Sequence, residues 1–155
     1  MELVPVNEST LREAAEVHAV SWQESHRAIC SPEFTAAHTP ARQEAYLREK
    51  LSAGSEIWLL RKGGRALGLV SVTGSTIADL YVLPGEQRKG FGSRLLRFAM
   101  GRCPDTPRLW ILTTNTGAER LYRRFGFRPT GRRMQHPAGV DEIEMARSED
   151  PAAFC

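Results

Sequence analysis

The run Gln87-Arg88-Lys89-Gly90-Phe91-Gly92-Ser93 holds the residue types most able to do chemistry together. The apolar stretch Leu80-Tyr81-Val82-Leu83 leads into it through Pro84-Gly85, and a helix-forming stretch follows at once. Unpaired N–H groups at a helix start carry partial positive charge and bind phosphate. Gly90 and Gly92 have no Cβ, so a phosphate oxygen can approach the main chain closely. Arg88 and Lys89 add cationic charge at the same place. Two common phosphate-binding patterns are excluded by single residues. A P-loop needs Lys and then Ser or Thr after the second glycine of GxxxxG; Gly85 and Gly90 have that separation, but Phe91-Gly92 follows. A dinucleotide fingerprint needs a third glycine where Leu95 stands.

Other reactive side chains are scattered. Cys30, Cys103 and Cys155 form no CxxC pair, so neither a disulfide framework nor a zinc site is expected. His18, His26, His38 and His136 show no HxxxH or HExxH spacing, and no metal is expected. The net charge of +3 is weak support for an anionic partner, which a phosphate-bearing cofactor satisfies as well as nucleic acid does. No recognised nucleic-acid-binding motif is present, nor basic residues interleaved with aromatic ones on one strand face, so no nucleic-acid partner is expected. No apolar run approaches the roughly 18–20 residues that cross a bilayer. The N-terminus has neither the basic nor the apolar region of a secretory signal. The expected location is the cytoplasm, with no membrane partner.

These residues are positioned by a regular succession of elements. Val4 and Val6 suit an opening strand. Thr10 and Glu13 have capping-box spacing for a helix ending near residue 22, with Leu11, Ala14, Ala15 and His18 on one face. Residues 23–38 read as irregular. Thr39-Pro40 reads as an N-cap with Pro at the first helical position, and Gly54 as the stop. Two apolar runs around Gly63-Gly64 make a hairpin, and residues 77–83 a further strand in which Asp79, Tyr81 and Ile77 share a face. A helix over 92–102, a strand over 109–112, a helix through Ala118, Leu121, Tyr122 and Phe125, and two closing strands complete the order β-α-α-β-β-β-α-β-α-β-β. This is a single α/β domain over residues 1–155, with six to seven strands in a mixed sheet and about four helices.

Gln87-Arg88-Lys89-Gly90-Phe91-Gly92 resembles the Q/R-x-x-G-x-G/A signature of the GNAT superfamily of N-acetyltransferases. Leu80-Tyr81-Val82-Leu83-Pro84 resembles that family's fourth strand. Asn115-Thr116-Gly117-Ala118, with Tyr122 and Gly126-Phe127, resembles its second motif, and the element order agrees over nearly the whole chain. The resemblance implies a mostly antiparallel sheet whose fourth and fifth strands splay apart. It implies acetyl-CoA as cosubstrate, with the pyrophosphate on the main chain of Gln87, Arg88, Lys89, Gly90, Phe91, Gly92 and Ser93. The pantetheine arm would pair with the backbone around Val82 and be held by Asn115 near Ala118. A helix N-cap is a compatible second role for Asn115.

By the same resemblance an amine attacks the thioester directly in a ternary complex, and Tyr122 protonates the departing thiolate. From spacing alone Tyr122 reads as packing beside Phe125 on the buried face of its helix, and only the motif match favours the acid role. A backbone N–H of Val82 or Leu83 would hold the oxyanion. An alkyl ammonium, with a pKa of about 10.4, needs to lose a proton first. Asp79 is the candidate to take it or to hold the ammonium, and a solvent-facing strand residue is the alternative reading. His136 is a reserve.

The acceptor would enter between the loops at residues 22–38 and 132–139, where Trp22, Glu24 and His26, with Tyr81, form the expected lining. A small primary amine is the favoured acceptor. A protein N-terminus or lysine, and a non-catalytic acyl-CoA-binding domain, stay open as alternatives. Acyl-chain length is open as well. Dimers occur in the family, and a homodimer is compatible with the chain.

Overall fold

Alternation along the second strand decides how the sheet is covered. Ile57 and Leu59 pack on one face and Trp58 and Leu60 on the other, so both faces need a helical layer. A computed structural model describes residues 1–135 and 139–148. Its elements are β1 (Glu2–Pro5), α1 (Leu11–His26), α2 (Pro32–Ala36), α3 (Pro40–Ser52), β2 (Glu56–Lys62), β3 (Arg65–Thr73) and β4 (Thr76–Val82). They continue with α4 (Phe91–Arg102), β5 (Arg108–Leu112), α5 (Thr116–Arg124), β6 (Phe127–Gln135) and β7 (Asp141–Arg147). The strand order is β1-β2-β3-β4-β5-β7-β6. Every neighbouring pair is antiparallel except β4–β5. The α/β class and mixed, mostly antiparallel sheet are as expected.

Two apolar clusters result. Leu11, Ala14 and Ala15 of α1 and Leu47 of α3 cover Ile57, Leu59 and Leu69. On the opposite face Leu95, Leu96 and Ala99 of α4, with Tyr122 and Phe127, cover Leu60, Val70, Val72 and Val82. The Ile143 and Met145 side of β7 packs into this second cluster.

Several local expectations need correction. Helix α1 runs to His26, and the segment read as irregular contains α2, capped by Ser31 accepting from Phe34 N–H at 3.1 Å. The described residues hold five α-helices rather than about four. The capping box does not form: Thr10 makes no side-chain cap, its Oγ1 instead accepting from Asn7 N–H at 3.0 Å, and Glu13 pairs with Arg61. Thr39 does cap α3, accepting from Arg42 N–H at 3.2 Å. Ile77 does not share a face with Asp79. The β3–β4 register jumps from Ser71↔Asp79 to Val72↔Ile77, so Ala78 is an extra residue. That bulge turns Ile77 toward the α4 side and leaves Asp79 and Tyr81 facing α1 and α3.

One junction positions everything that follows. Strands β4 and β5 pair only at Thr76↔Arg108 and Ile77↔Leu109, and then part. Leu83 N–H donates to Leu67 C=O at 2.9 Å, on the β3 side. Peptide groups alternate along a strand, so the N–H and C=O of Val82 face the β4–β5 gap.

Candidate active site

The gap opens onto the glycine turn. A 3₁₀ turn over Pro84–Glu86 leads to Gln87, whose Nε2 donates to Val82 C=O at 3.3 Å. Arg88 has φ 64° and Gly90 φ 86°, both left-handed. Glycine adopts that region without penalty; arginine does not, so Arg88 marks stored backbone strain. Gly90 is the N-cap of α4 and has no side chain to offer its N–H groups. Those groups stay available to an anion. Phe91 is 5 % exposed and packed in the core, so only its main chain can serve a ligand, and Gly92 lies under Leu121. Lys89 pairs with Glu86 at 3.1 Å.

Across the gap Asn115 caps α5: its Oδ1 accepts from Ala118 N–H at 3.2 Å. Its side-chain N–H₂ makes no hydrogen bond among the described residues. Tyr122 is 8 % exposed, 5.9 Å between ring centroids from Phe127. Burial pushes its phenol up to about 12, so it is protonated throughout the neutral range.

The other face of β4 carries a side-chain cluster. Asp79, 7 % exposed, does not face solvent. Its Oδ2 accepts from Lys50 Nζ at 2.7 Å and Ser71 Oγ at 2.6 Å, and the Tyr46 hydroxyl lies 3.2 Å from Oδ1. Gln43 Nε2 meets Nδ1 of the buried His18 at 2.7 Å. With Gln43 as donor, the ring proton is on Nε2, which lies 3.6 Å from Asp79 Oδ1. Burial by itself would raise the Asp79 carboxyl. The facing His18 imidazole and the Lys50 ammonium together outweigh it and hold the group well below the usual carboxylate range. Asp79 is therefore a fixed anion and a weak proton acceptor, which alters the job expected of it. Burial first and Asp79 second push the Tyr46 phenol up. The same two causes, with Tyr46, Tyr122 and Glu142 following, act on Tyr81.

Above this cluster, α1, α3 and β4 enclose a cavity of 210 Å³ reached by His18, Trp22 and His38 on one side and by Arg42, Tyr46 and Tyr81 on the other. Trp22 is stacked between His38, at 3.4 Å between centroids, and His26, at 3.9 Å. Of the four side chains expected to line an acceptor site, Trp22 and Tyr81 line this cavity. His26 lies behind Trp22, with Nδ1 2.9 Å from Trp22 C=O. Glu24 is exposed and paired with Arg27 at 2.7 Å; it is not part of the lining. His136 lies outside the described residues, as does part of the second expected loop.

Sequence reasoning missed His38, Arg42, Gln43, Tyr46 and Lys50, and treated His18 only as a helix-face residue. The signal was a spacing: 43, 46 and 50 recur at i, i+3 and i+7 on α3, one polar stripe beside the Leu47 and Leu51 stripe. Tyr81 joins the two regions. Its ring walls the cavity, its C=O faces β3, and the next residue, Val82, faces the gap.

Among the described residues no cluster of His, Cys, Asp and Glu could hold a metal ion. No described helix is long and apolar enough to cross a membrane.

The sequence profile of the acetyltransferase (GNAT) domain matches residues 20–148. A probable N-acetyltransferase of Mycobacterium tuberculosis is 28% identical over 130 residues, covering 76% of this chain and 74% of that protein. A peptidyl-lysine N-acetyltransferase of Escherichia coli is 30% identical over 89 residues, 57% of each chain. Among solved structures, a Salmonella typhimurium acetyltransferase crystallised with acetyl-CoA superposes with a TM-score of 0.68 at 19% identity, over 99% of this chain and 96% of that one. A profile match over most of the chain, on a sheet parted at β4 and β5, shows that this chain belongs to the GNAT family of N-acetyltransferases.

Proposed function

We propose that this protein transfers the acetyl group of acetyl-CoA directly to the primary amine of a small molecule. The observation that carries the reading is the meeting of two spaces at residues 81 and 82. A backbone-lined gap runs from the glycine turn to Val82, and an aromatic cavity ends at Tyr81.

In this reading the α4 N-terminus and the main chain of residues 87–93 hold the pyrophosphate, with Arg88 adding charge. The pantetheine arm completes the sheet along Val82, displacing Gln87 from the Val82 C=O, and Asn115 donates its free side-chain N–H. Val82 N–H is the oxyanion donor. Leu83, the other candidate, is already bonded to Leu67.

The acceptor enters between Trp22, Tyr46 and Tyr81. Aromatic walls strip water from its ammonium, and the adjacent Arg42 charge opposes a further cation. Both effects lower the ammonium's pKa and favour the neutral nucleophile. Asp79 fixes the orientation of Tyr46, and Gln43 that of His18, at the cavity floor. The amine attacks the thioester carbonyl; the tetrahedral intermediate collapses with loss of the thiolate, which takes the Tyr122 proton, and the proton that the nitrogen sheds as the neutral amide forms returns to the Tyr122 phenolate, directly or through solvent. A phenol at about 12 is a weak acid in water's terms, but the thiolate forms in the same desolvated place, and burial raises its proton affinity too.

The direct test is donor binding followed by turnover. Acetyl-CoA at a hundredfold excess over its Kd adds about 2.7 kcal/mol of stability, and ATP and NAD add none. CoA release then depends on an added amine. Equal stabilisation by all three nucleotides, or release independent of amine, sinks the reading. The peptidyl-lysine activity of the E. coli relative defines the competing reading; the cavity's volume of 210 Å³ between Trp22, His38 and Tyr81 favours a small acceptor over a peptide laid across an open groove.

A further inference from the structure

The charges around the cavity do not balance in an ordinary way. At its floor Asp79 is neutralised by Lys50, and its remaining acceptor capacity is taken by Ser71 and Tyr46. Among the described residues lining the cavity no other carboxylate is present to receive a cationic acceptor; Glu142, whose charge reaches Tyr81, stands on β7 outside that lining. Nδ1 of His18 is held by Gln43, and Nδ1 of His38 by Phe34 C=O at 2.9 Å. Arg42 differs. It lies on the cavity wall in the first turn of α3, and its guanidinium has no carboxylate or hydrogen-bond partner among the described residues. The nearest acidic residue in sequence, Glu44, is engaged by Arg12 and Arg48. Arg42 is close enough to His38 to act with burial in lowering that imidazole's pKa. A guanidinium presents paired N–H donors in a planar fork that matches a carboxylate.

From this we infer that the acceptor is an amine that also carries a carboxylate, an amino-acid-like molecule, with Arg42 gripping the carboxylate at the cavity mouth while the amine reaches Val82. The inference rests on the small-acceptor reading above and names its substrate class. A lysine side chain within a peptide offers no such group, and a polyamine brings a second positive charge toward Arg42. The walls set the rest of the shape: Trp22, Tyr46 and Tyr81 favour a flat or apolar body between the two polar ends.

The test compares matched acceptors that differ only in a carboxylate at the end remote from the amine: benzylamine with 4-(aminomethyl)benzoate, phenethylamine with 4-(2-aminoethyl)benzoate, and propylamine with 4-aminobutyrate. Each is assayed for CoA release with the full-length protein, and with Arg42→Gln and Arg42→Lys. A stabilising shift with acetyl-CoA in each variant establishes that it is folded and that its donor site is intact. The expected result is a kcat/KM at least tenfold higher for the carboxylate member of one or more pairs. That ratio collapses in Arg42→Gln and is partly retained in Arg42→Lys, which keeps the charge and loses the fork. Turnover of the simple amines with no carboxylate preference, or a preference indifferent to Arg42, overturns the inference and leaves the acetyltransfer reading standing. Release only with a lysine-containing peptide overturns the inference and the small-acceptor reading together. Release with neither, in protein that acetyl-CoA stabilises, overturns the proposed transfer itself and the inference with it.

Discussion

The two sides of β4 are built from different materials. Toward the β4–β5 gap the ligand-facing groups are main-chain N–H and C=O of Val82 and of residues 87–93, positioned by turn geometry and by the start of α4. Toward α1 and α3 they are side chains, His18, Tyr46, Lys50 and Asp79, that hold one another in place. A backbone site tolerates change in side-chain identity wherever the required φ and ψ survive. A side-chain site is altered by a single replacement, and part of its cost appears as lost fold stability. In the proposed function, donor recognition is thereby separable from acceptor recognition, and lesions on the two sides should differ in kind as well as in size.

Six substitutions, one of them read by acid titration, would break or sharpen that contrast. Tyr122→Phe gives the largest effect: kcat should fall about 10²–10⁴-fold with the donor-induced stabilisation retained, measured by single-turnover CoA release. Full turnover in that variant removes Tyr122 from the chemistry. Next, Lys50→Met leaves Asp79 buried without its counter-ion and should cost about 3–5 kcal/mol in urea unfolding. The corresponding pH dependence has a definite sign. The folded-state pKa of Asp79 is depressed, so its contribution is complete above the unfolded value of about 3.9 and is lost as pH falls through the folded value. Asp79→Asn should therefore flatten the acid limb of the stability curve, and an unchanged limb would show that the cluster does not hold Asp79 ionised.

Smaller effects test the junction and the turn. A Cβ at Gly68 would lie 2.6 Å from Tyr81 C=O and 3.0 Å from Leu95 Cδ1. Gly68→Ala should cost about 1–3 kcal/mol by overpacking and disturb both sides at once, because β4 itself must move. A Cβ at Gly90 meets nothing within 4 Å, so Gly90→Ala should cost only the left-handed backbone term, about 1–2 kcal/mol. Its effect should appear mainly as a smaller acetyl-CoA shift; an acceptor KM that changes instead would contradict the division of labour. Glu24→Gln should do least, within about 0.5 kcal/mol and without effect on any acceptor's KM, since its partner is the exposed Arg27.

The glycine turn was more legible in the sequence than the cavity for a physical reason. A phosphate-binding turn must have glycine where φ is positive or a ligand approaches, so the requirement is written in residue type and close spacing, as at Gly90 and Gly92. The element order was equally readable, because periodicity carries it. The acceptor side is assembled from α1, α3, β3 and β4, and Ser71, Asp79 and Lys50 become neighbours only when those elements pack. Nothing local distinguishes Lys50 from a solvated helix lysine. Glu24 failed for the converse reason: adjacency to Trp22 in sequence placed it on a different face of α1. The bulge at Ala78 was invisible to strict strand alternation, and it is what brings Asp79, without Ile77, to the cavity side.

The two residue pairs that join β4 to β5 have a consequence for motion. Without a ligand the sheet is two leaves, β1-β2-β3-β4 and β5-β7-β6, hinged at Thr76 and Ile77, and the gap-facing amides of Leu80 and Val82 have no strand partner across it. Hydrogen exchange should find those amides weakly protected and the smaller leaf opening at a lower free energy than the larger. A pantetheine arm laid along Val82, as proposed above, would supply the missing strand and make the cosubstrate a removable seam: with acetyl-CoA bound, the two leaves should exchange as one cooperative unit, and an unchanged exchange of the Leu80 and Val82 amides would contradict that placement.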